Sequence, residues 1–301
     1  MIDPKCLDGR NPMFLSATGY LLPCCWCENS LRPEVNEERI RKLLVKKLSE
    51  VDSIQQILDT DEWKEFYDKL LTDPPRFVGI IAKKIMSTKP LIKRVDIDAT
   101  SRCTLRCPAC MRQNYYGVRN KPVPGKDISI EDFEKLADYF DDICLIGNLS
   151  DPTTHPDLYS LLKICIKKST SVILSVASTH RSMRWFRKHF LLTRHKNILW
   201  EFAIDGLPKD SHKYRINQDG EKLFEIMKMA KKLGCQVVWK YIIFKYNEND
   251  MEEAKKLASD AGVSLSFIKS TRWEGEMSKY QPTDRNNYAG TREWVSDYGT
   301  V

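Results

Sequence analysis

The sequence predicts an α/β fold, a largely parallel sheet with helical crossovers, preceded by a cysteine-rich, helical accessory region. Three observations predict it. From Lys93 onward, short apolar runs rich in β-branched residues alternate with amphipathic stretches of helical length. Before about residue 90 the pattern is irregular or helical, with no such alternation. Of the ten cysteines, seven fall in two clusters, one of them directly after the first strand of the alternating region.

The elements follow in order. Residues 1 to about 30 are rich in Cys, Pro and Gly. From about 34 to 86 the spacing is helical: Ile40, Leu43, Leu44 and Leu48 repeat at intervals of three and four, as do Trp63, Phe66, Tyr67, Leu70 and Leu71. Pro74-Pro75 interrupts that run before a short amphipathic segment ending near Met86. Strands are predicted at Arg94 to Ala99, Ile143 to Ile146, Val172 to Val176, Leu199 to Ile204, Gln236 to Phe244 and Val263 to Ile268. Helices are predicted between them, roughly Ser129 to Tyr139, Asp157 to Lys168, Arg181 to Phe190, Glu221 to Leu233 and Asn249 to Ala261. Ser129 offers an N-cap followed by acids in the first turn, and Gly234 a C′ glycine after two lysines. Six strands separated by five helices imply parallel pairing with right-handed crossovers. Periodicity leaves open whether the sheet stays flat or curls into a partial barrel. In both cases ligands bind at the carboxyl ends of the strands. After Trp273 the chain is polar and weakly patterned, an extension.

Composition narrows the class. With 42% hydrophobic and 30% charged residues the chain can bury a core. No stretch approaches the roughly 20 apolar residues that cross a bilayer, and the N-terminus lacks the basic and apolar regions of a secretory signal. A soluble, cytoplasmic protein with no membrane partner is expected. Forty-eight Lys and Arg against 41 Asp and Glu give a net charge of +7. The basic residues are interleaved with acids, as in Glu37-Glu38-Arg39-Ile40-Arg41-Lys42, so a nucleic-acid surface is unsupported.

The chemical signal is Cys103-Thr104-Leu105-Arg106-Cys107-Pro108-Ala109-Cys110. Random placement of ten cysteines would give this three-point spacing about 0.01 times in such a chain. In a reducing compartment, clustered thiols hold metals or do redox work. Three thiolates on one loop suit three irons of a cubane 4Fe–4S cluster, leaving the fourth iron open to a small molecule. The alternative is a zinc knuckle, which needs a fourth ligand; the nearest later candidates are Cys144 and His155. Cys144, Cys165 and Cys235 sit in apolar surroundings and read as small core residues.

The C-x-x-x-C-x-x-C spacing after a first strand, followed by further βα units, resembles the radical S-adenosylmethionine (radical SAM) enzymes over roughly Lys93 to Ile268. The resemblance implies a partial (β/α)6 barrel of the TIM type, with Cys103, Cys107 and Cys110 as cluster ligands. It also implies reductive cleavage of SAM to a 5′-deoxyadenosyl radical that abstracts hydrogen from substrate, with an external flavodoxin- or ferredoxin-like electron donor. After the second strand, Gly147-Asn148-Leu149-Ser150-Asp151-Pro152 is similar to the family's Gly-Gly-Glu-Pro turn, which binds the methionine amino group. The resemblance therefore places Gly147, Asn148 and Asp151 at the cofactor, through the Asp151 carboxylate or the Gly147-Asn148 carbonyls. The third-strand exit reads Ser178-Thr179-His180 where relatives have Thr-Asn-Gly, and His180 reads as a surface helix-start residue. Phe202 to Leu207 with Arg215 is similar to the fourth-strand segment, so Ser178, Asp205 and Arg215 join the expected cofactor-binding set, Arg215 as partner of the SAM carboxylate. Ala203 stands where a ribose-contacting serine is usual, and Ala109 where an aromatic is.

Upstream, Cys6, followed by Gly19 to Cys24 as G-x-x-x-x-C, resembles the opening of the SPASM or Twitch auxiliary-cluster module. The resemblance implies Cys6, Cys24 and Cys27 as ligands of an auxiliary iron–sulfur cluster; adjacent Cys24 and Cys25 point in different directions, so both do not serve one centre. Zinc, or no metal, is the alternative there. The expected organisation is 1–90 cysteine-rich and helical, 91–275 barrel, and 276–301 extension. Auxiliary-cluster relatives favour a peptide or protein substrate. A nucleotide or small metabolite, or a zinc-stabilised binding protein without catalysis, are the other readings.

Overall fold

The computed structural model describes residues 12–23, 25, 27–28, 38–72, 93–270, 272–273 and 275–288. Cys6, Cys24, Trp26, Pro74-Pro75 and the segment ending near Met86 lie outside them. The chain divides into two compact units, residues 1–101, 124–150 and 157–172 in one, and 102–123, 151–156 and 173–301 in the other.

The first unit opens with a hairpin that periodicity misses. β1 (Met13–Leu15) pairs antiparallel with β2 (Leu21–Leu22) and parallel with β3 (Arg94–Ile97), Phe14 lying opposite Asp96. β3 pairs in turn with β4 (Asp142–Leu145), Val95 opposite Ile143. The helical reading of 40–48 holds only for α1 (Glu38–Arg41). Lys47 is drawn into extended backbone by an isolated antiparallel bridge to Tyr20, and Leu48 N–H donates to Gly19 O at 2.9 Å, so tertiary pairing overrides the local period. α2 (Gln55–Leu58) and α3 (Asp61–Thr72) follow, with Trp63 fully buried. α4 (Ile130–Tyr139) starts where Ser129 Oγ accepts from Asp132 N–H at 3.1 Å. α5 (Leu158–Lys168) ends at Ser169 in the left-handed region. Phe133, Leu136, Leu158, Leu161, Leu162 and Cys165 bury the inner faces of these two helices.

β5 (Ser171–Val176) begins in the first unit and ends in the second, where β6 (Ile198–Ala203), β7 (Gln236–Ile242) and β8 (Ser264–Ile268) continue with parallel pairings β6·β7 and β7·β8. Among the described residues the first unit has the strand order β2-β1-β3-β4 and the second β6-β7-β8, so within each unit the parallel strands from β3 onward lie in chain order. α6 (Met183–Thr193), α7 (Gly220–Lys232) and α8 (Met251–Ala261) alternate with the strands. Trp200, Phe202, Trp239 and Tyr241 alternate along β6 and β7 into an aromatic core with Phe186 and Phe190; the Phe190 and Trp200 rings meet edge-on at 4.8 Å. The other face of these strands carries Glu201, 2% exposed and bound to Lys240 at 2.9 Å. Instead of trailing away, residues 275–288 are stitched to this unit: Thr283 N–H donates to both Glu248 carboxylate oxygens and Lys245 N–H to Tyr280 O. No described helix is long and apolar enough to cross a membrane.

Candidate functional site

In the second unit the cysteine loop is held from three sides. Arg102 O accepts from Asp151 N–H at 2.9 Å and from Thr154 Oγ1, while its guanidinium donates to Thr154 O. Arg106 N–H donates to Ile216 O at 3.0 Å, and Asn217 Nδ2 to Thr104 O at 3.3 Å. The Thr104 hydroxyl meets that of Ser178, which also bonds His180 Nδ1 at 2.8 Å. Cys110 N–H turns back to Cys107 O, and the chain runs on into a π-helical turn, Arg112–Gly117, which no periodicity announces. Segments 151–156, 177–180 and 211–218 thus fix the loop that presents Cys103, Cys107 and Cys110.

All three thiols are half-buried. Burial pushes the Cys103 thiol up to about 12, assisted by the Asp151 carboxylate, while Leu105 N–H, 3.4 Å from its sulfur, works in the opposite direction. Cys107 is raised to about 11 by burial, against the pull of Arg215, and it senses Cys110 as Cys103 senses Cys107. The three sulfurs therefore share one electrostatic neighbourhood.

The structure gives three of the expected cofactor residues a different job. Asp151, expected to receive an ammonium group, is 3% exposed, and its carboxylate accepts from Thr153 N–H and hydroxyl and from the N–H groups of Ala177 and Ser178. Four donors occupy it, so it clamps two loops together. Ser178 is fully buried, its hydroxyl spent between Thr104 and His180. Asp205 is likewise 0% exposed: Oδ1 accepts from Ile242 N–H at 2.7 Å and Oδ2 lies 2.7 Å from Arg215 Nε. Burial lifts Asp205 above the ordinary carboxylate value, and Arg215 pulls it down; Arg215, whose charge burial opposes, is held cationic by Asp205 and Cys107. Arg215 does stand beside the cysteine loop, its orientation fixed by Asp205. His180 is exposed, as read from the sequence, but tied to Ser178. Sequence reasoning missed Gln218, a lone amide without a spacing partner. It is 5% exposed and donates to Ala177 O at 2.7 Å and Ala203 O at 3.0 Å, tying the exits of β5 and β6.

In the first unit, the turn after β4 is built on Gly147, with φ +60° and no room for a Cβ, which would meet Ser150 O at 2.1 Å. Asp98, also missed, is 1% exposed and accepts from Leu149 N–H, Ser150 N–H and the Ser150 hydroxyl. Burial raises it to about 6, against those hydrogen bonds. Asn148, expected at the cofactor, points its amide to Glu28 Oε2 at 2.8 Å. Of the N-terminal ligand set, only Cys27 is described, and it is fully buried.

Three thiols on a rigid loop, with an N–H directed at one sulfur, suit the cubane cluster that the motif implies. Among the described residues, no three His, Cys, Asp or Glu side chains converge as one metal ion requires. A cubane takes each thiolate on a different iron, and three half-buried, electrostatically coupled thiols are the donor type it needs.

Comparison with known proteins agrees. The profile of the radical SAM superfamily matches residues 97–259, more than half of the chain. The fold is similar to that of SuiB of Streptococcus suis bound to S-adenosylmethionine, with a TM-score of 0.51 and 14% identity over 91% of this chain and 65% of that one. SuiB bound to its precursor peptide SuiA gives a TM-score of 0.51 and 13% identity, over 91% and 64%. The chain thus spans just under two thirds of those structures' length. No curated protein matches it significantly in sequence.

Proposed function

Because the chain belongs to the radical SAM superfamily, we propose that it is a SAM-dependent enzyme that modifies a peptide or protein at an unactivated C–H bond. The observation that carries the reading is the loop with Cys103, Cys107 and Cys110, three half-buried thiols in mutual electrostatic reach. These residues would hold the 4Fe–4S cluster, and Arg215, aimed by Asp205, the carboxylate of SAM. When bound, the cluster supplies one electron for reductive cleavage of SAM to methionine and the 5′-deoxyadenosyl radical. The protein's part is placement. Leu105 N–H favours the Cys103 thiolate, and Asp151 and Gln218 lock the loops around the cysteine segment. The carbonyls of Gly147 and Asn148 would accept from the methionine ammonium, their turn held by Asp98. An external flavodoxin- or ferredoxin-like carrier would supply the electron. That a relative of this fold binds a precursor peptide supports the substrate class.

Anaerobically reconstituted protein should be brown, carry iron and sulfide, and form 5′-deoxyadenosine from SAM under dithionite. Replacing Cys103, Cys107 and Cys110 by Ala should abolish all three. Stoichiometric zinc with negligible iron, or SAM cleavage surviving in the triple variant, overturns the reading. A mass change on a co-encoded peptide, against none on nucleotides, tests the substrate class.

A further inference from the structure

We propose that residues 280–287 form a strap that sets the position of Arg215, with Glu248 and Tyr280 as positioning residues. This rests on the function proposed above, in which Arg215 takes the carboxylate of SAM, and adds that SAM binding and strap closure are cooperative. In sequence the stretch is polar and without period. Of residues 275–288 only Pro282 is buried, so apolar burial is not what holds the segment down.

One carboxylate holds it instead. Glu248, 6% exposed, accepts from Thr283 N–H on both oxygens at 3.0 Å, from the Thr283 hydroxyl, from Asp284 N–H at 3.2 Å and from Asn287 Nδ2 at 3.5 Å. Lys245 N–H, three residues upstream, donates to Tyr280 O at 2.8 Å. Hydrogen bonds to an ionised acceptor are the strong kind, and here they stand in for side-chain burial.

From the strap two routes lead to Arg215. The Tyr280 ring meets the buried Tyr214 ring edge-on at 5.6 Å and Phe244 at 5.9 Å, and the Tyr214 and Phe244 rings lie 4.3 Å apart. Arg215 is the next residue. Trp273 joins the same cluster, edge-on to Phe244 at 5.9 Å. The second route is polar. Ile242 to Glu248 is folded into one tight loop: Asn247 Oδ1 accepts from Phe244 N–H at 2.7 Å, its amide donates to Ile242 O at 3.1 Å, and the Tyr241 hydroxyl donates to its carbonyl at 2.7 Å. The same loop grips Asp205, Ile242 N–H donating to Oδ1 and the Tyr246 hydroxyl to the Asp205 carbonyl. Asp205 Oδ2 in turn lies 2.7 Å from Arg215 Nε. A carboxylate ligand on Arg215 therefore meets a guanidinium whose two supports both run to the strap. Ordering one end orders the other, and linkage makes the effect reciprocal.

The test is hydrogen exchange on the reconstituted full chain, kept oxidised so that SAM is bound and not cleaved, together with the Kd for SAM. In wild type, saturating SAM should slow exchange of the Thr283 and Asp284 amides at least about fivefold. Glu248→Gln should speed exchange there and raise the Kd for SAM at least about fivefold. Tyr280→Leu should raise the Kd about threefold, and Tyr280→Phe, which keeps the ring, should retain wild-type affinity. Lys256→Ala, exposed on α8, should move neither measurement. A merely structural strap would loosen in Glu248→Gln with SAM affinity unchanged, and that result overturns the proposal. So does strap exchange indifferent to SAM in a wild type that binds it. The wild-type arm needs no variant, so it decides the coupling even where Glu248→Gln misfolds. Wild type that binds no SAM overturns the enzymatic reading itself, and the coupling falls with it.

Discussion

Two buried aspartates do similar work in the two units, and only one attracted notice in the sequence. Asp98 accepts two backbone N–H groups and a hydroxyl from the turn 147–150. Asp151 accepts three backbone N–H groups and a hydroxyl from 153 and 177–178. The difference is reach. Asp98 ties the end of one strand to the turn after its neighbour, while Asp151 ties two loops that also touch the cysteine segment. Family resemblance cast Asp151 as a ligand because a carboxylate stood at a motif position. In the folded chain that motif acid is buried and organises the backbone around it.

The comparison breaks first at Asp151. Asp151→Ala strands four donors, three of them buried, and we expect a loss on the order of 4 kcal/mol, with cluster loading falling as the loop loosens. Chemical denaturation and iron content measure the two. Full stability with lost SAM binding would restore Asp151 as a ligand.

Asp98 differs in its response to pH. Its carboxyl is raised from 3.8 to about 6 by burial, so between those values the native state binds more protons than the unfolded chain. Stability contributed by Asp98 is therefore greatest below pH 4 and falls as pH rises toward 6, by roughly 3 kcal/mol, before levelling off. Asp98→Asn removes that titration. The stability difference between wild type and Asp98→Asn should drift across pH 4 to 6 and be flat above about pH 7; a flat difference throughout would refute the raised value.

Many of the strands were legible because they announce themselves. β5, β6 and β7 are largely apolar, β-branched or aromatic runs bounded by helices, so their bounds agree with the structure within two residues. β1 and β2, at three and two residues, are too short for any period to register. The cysteine loop was legible from spacing alone, a covalent property. Gln218 and Asp98 were not, because the backbone groups they tie together lie 15 to 52 residues away and single polar residues carry no spacing. Asn148 and Ser178 were singled out by motif, and their side chains face protein partners that only folding reveals.

Asn148 supplies the finest discrimination between the two roles a turn residue can have. Its side chain donates to Glu28, which is 7% exposed and follows the N-terminal cysteines, while its carbonyl belongs to the turn that Asp98 holds. Asn148→Ala deletes the first and keeps the second. Losing one hydrogen bond to a buried carboxylate costs about 1–2 kcal/mol, which for a chain of this size lowers Tm by about 2–3 °C. If the backbone alone serves SAM, the Kd for SAM should stay within about twofold of wild type while the melt shifts, since no ligand contact has been removed. A tenfold loss of SAM affinity with an unchanged Tm would assign the amide to the cofactor and leave Glu28 without the role given to it here.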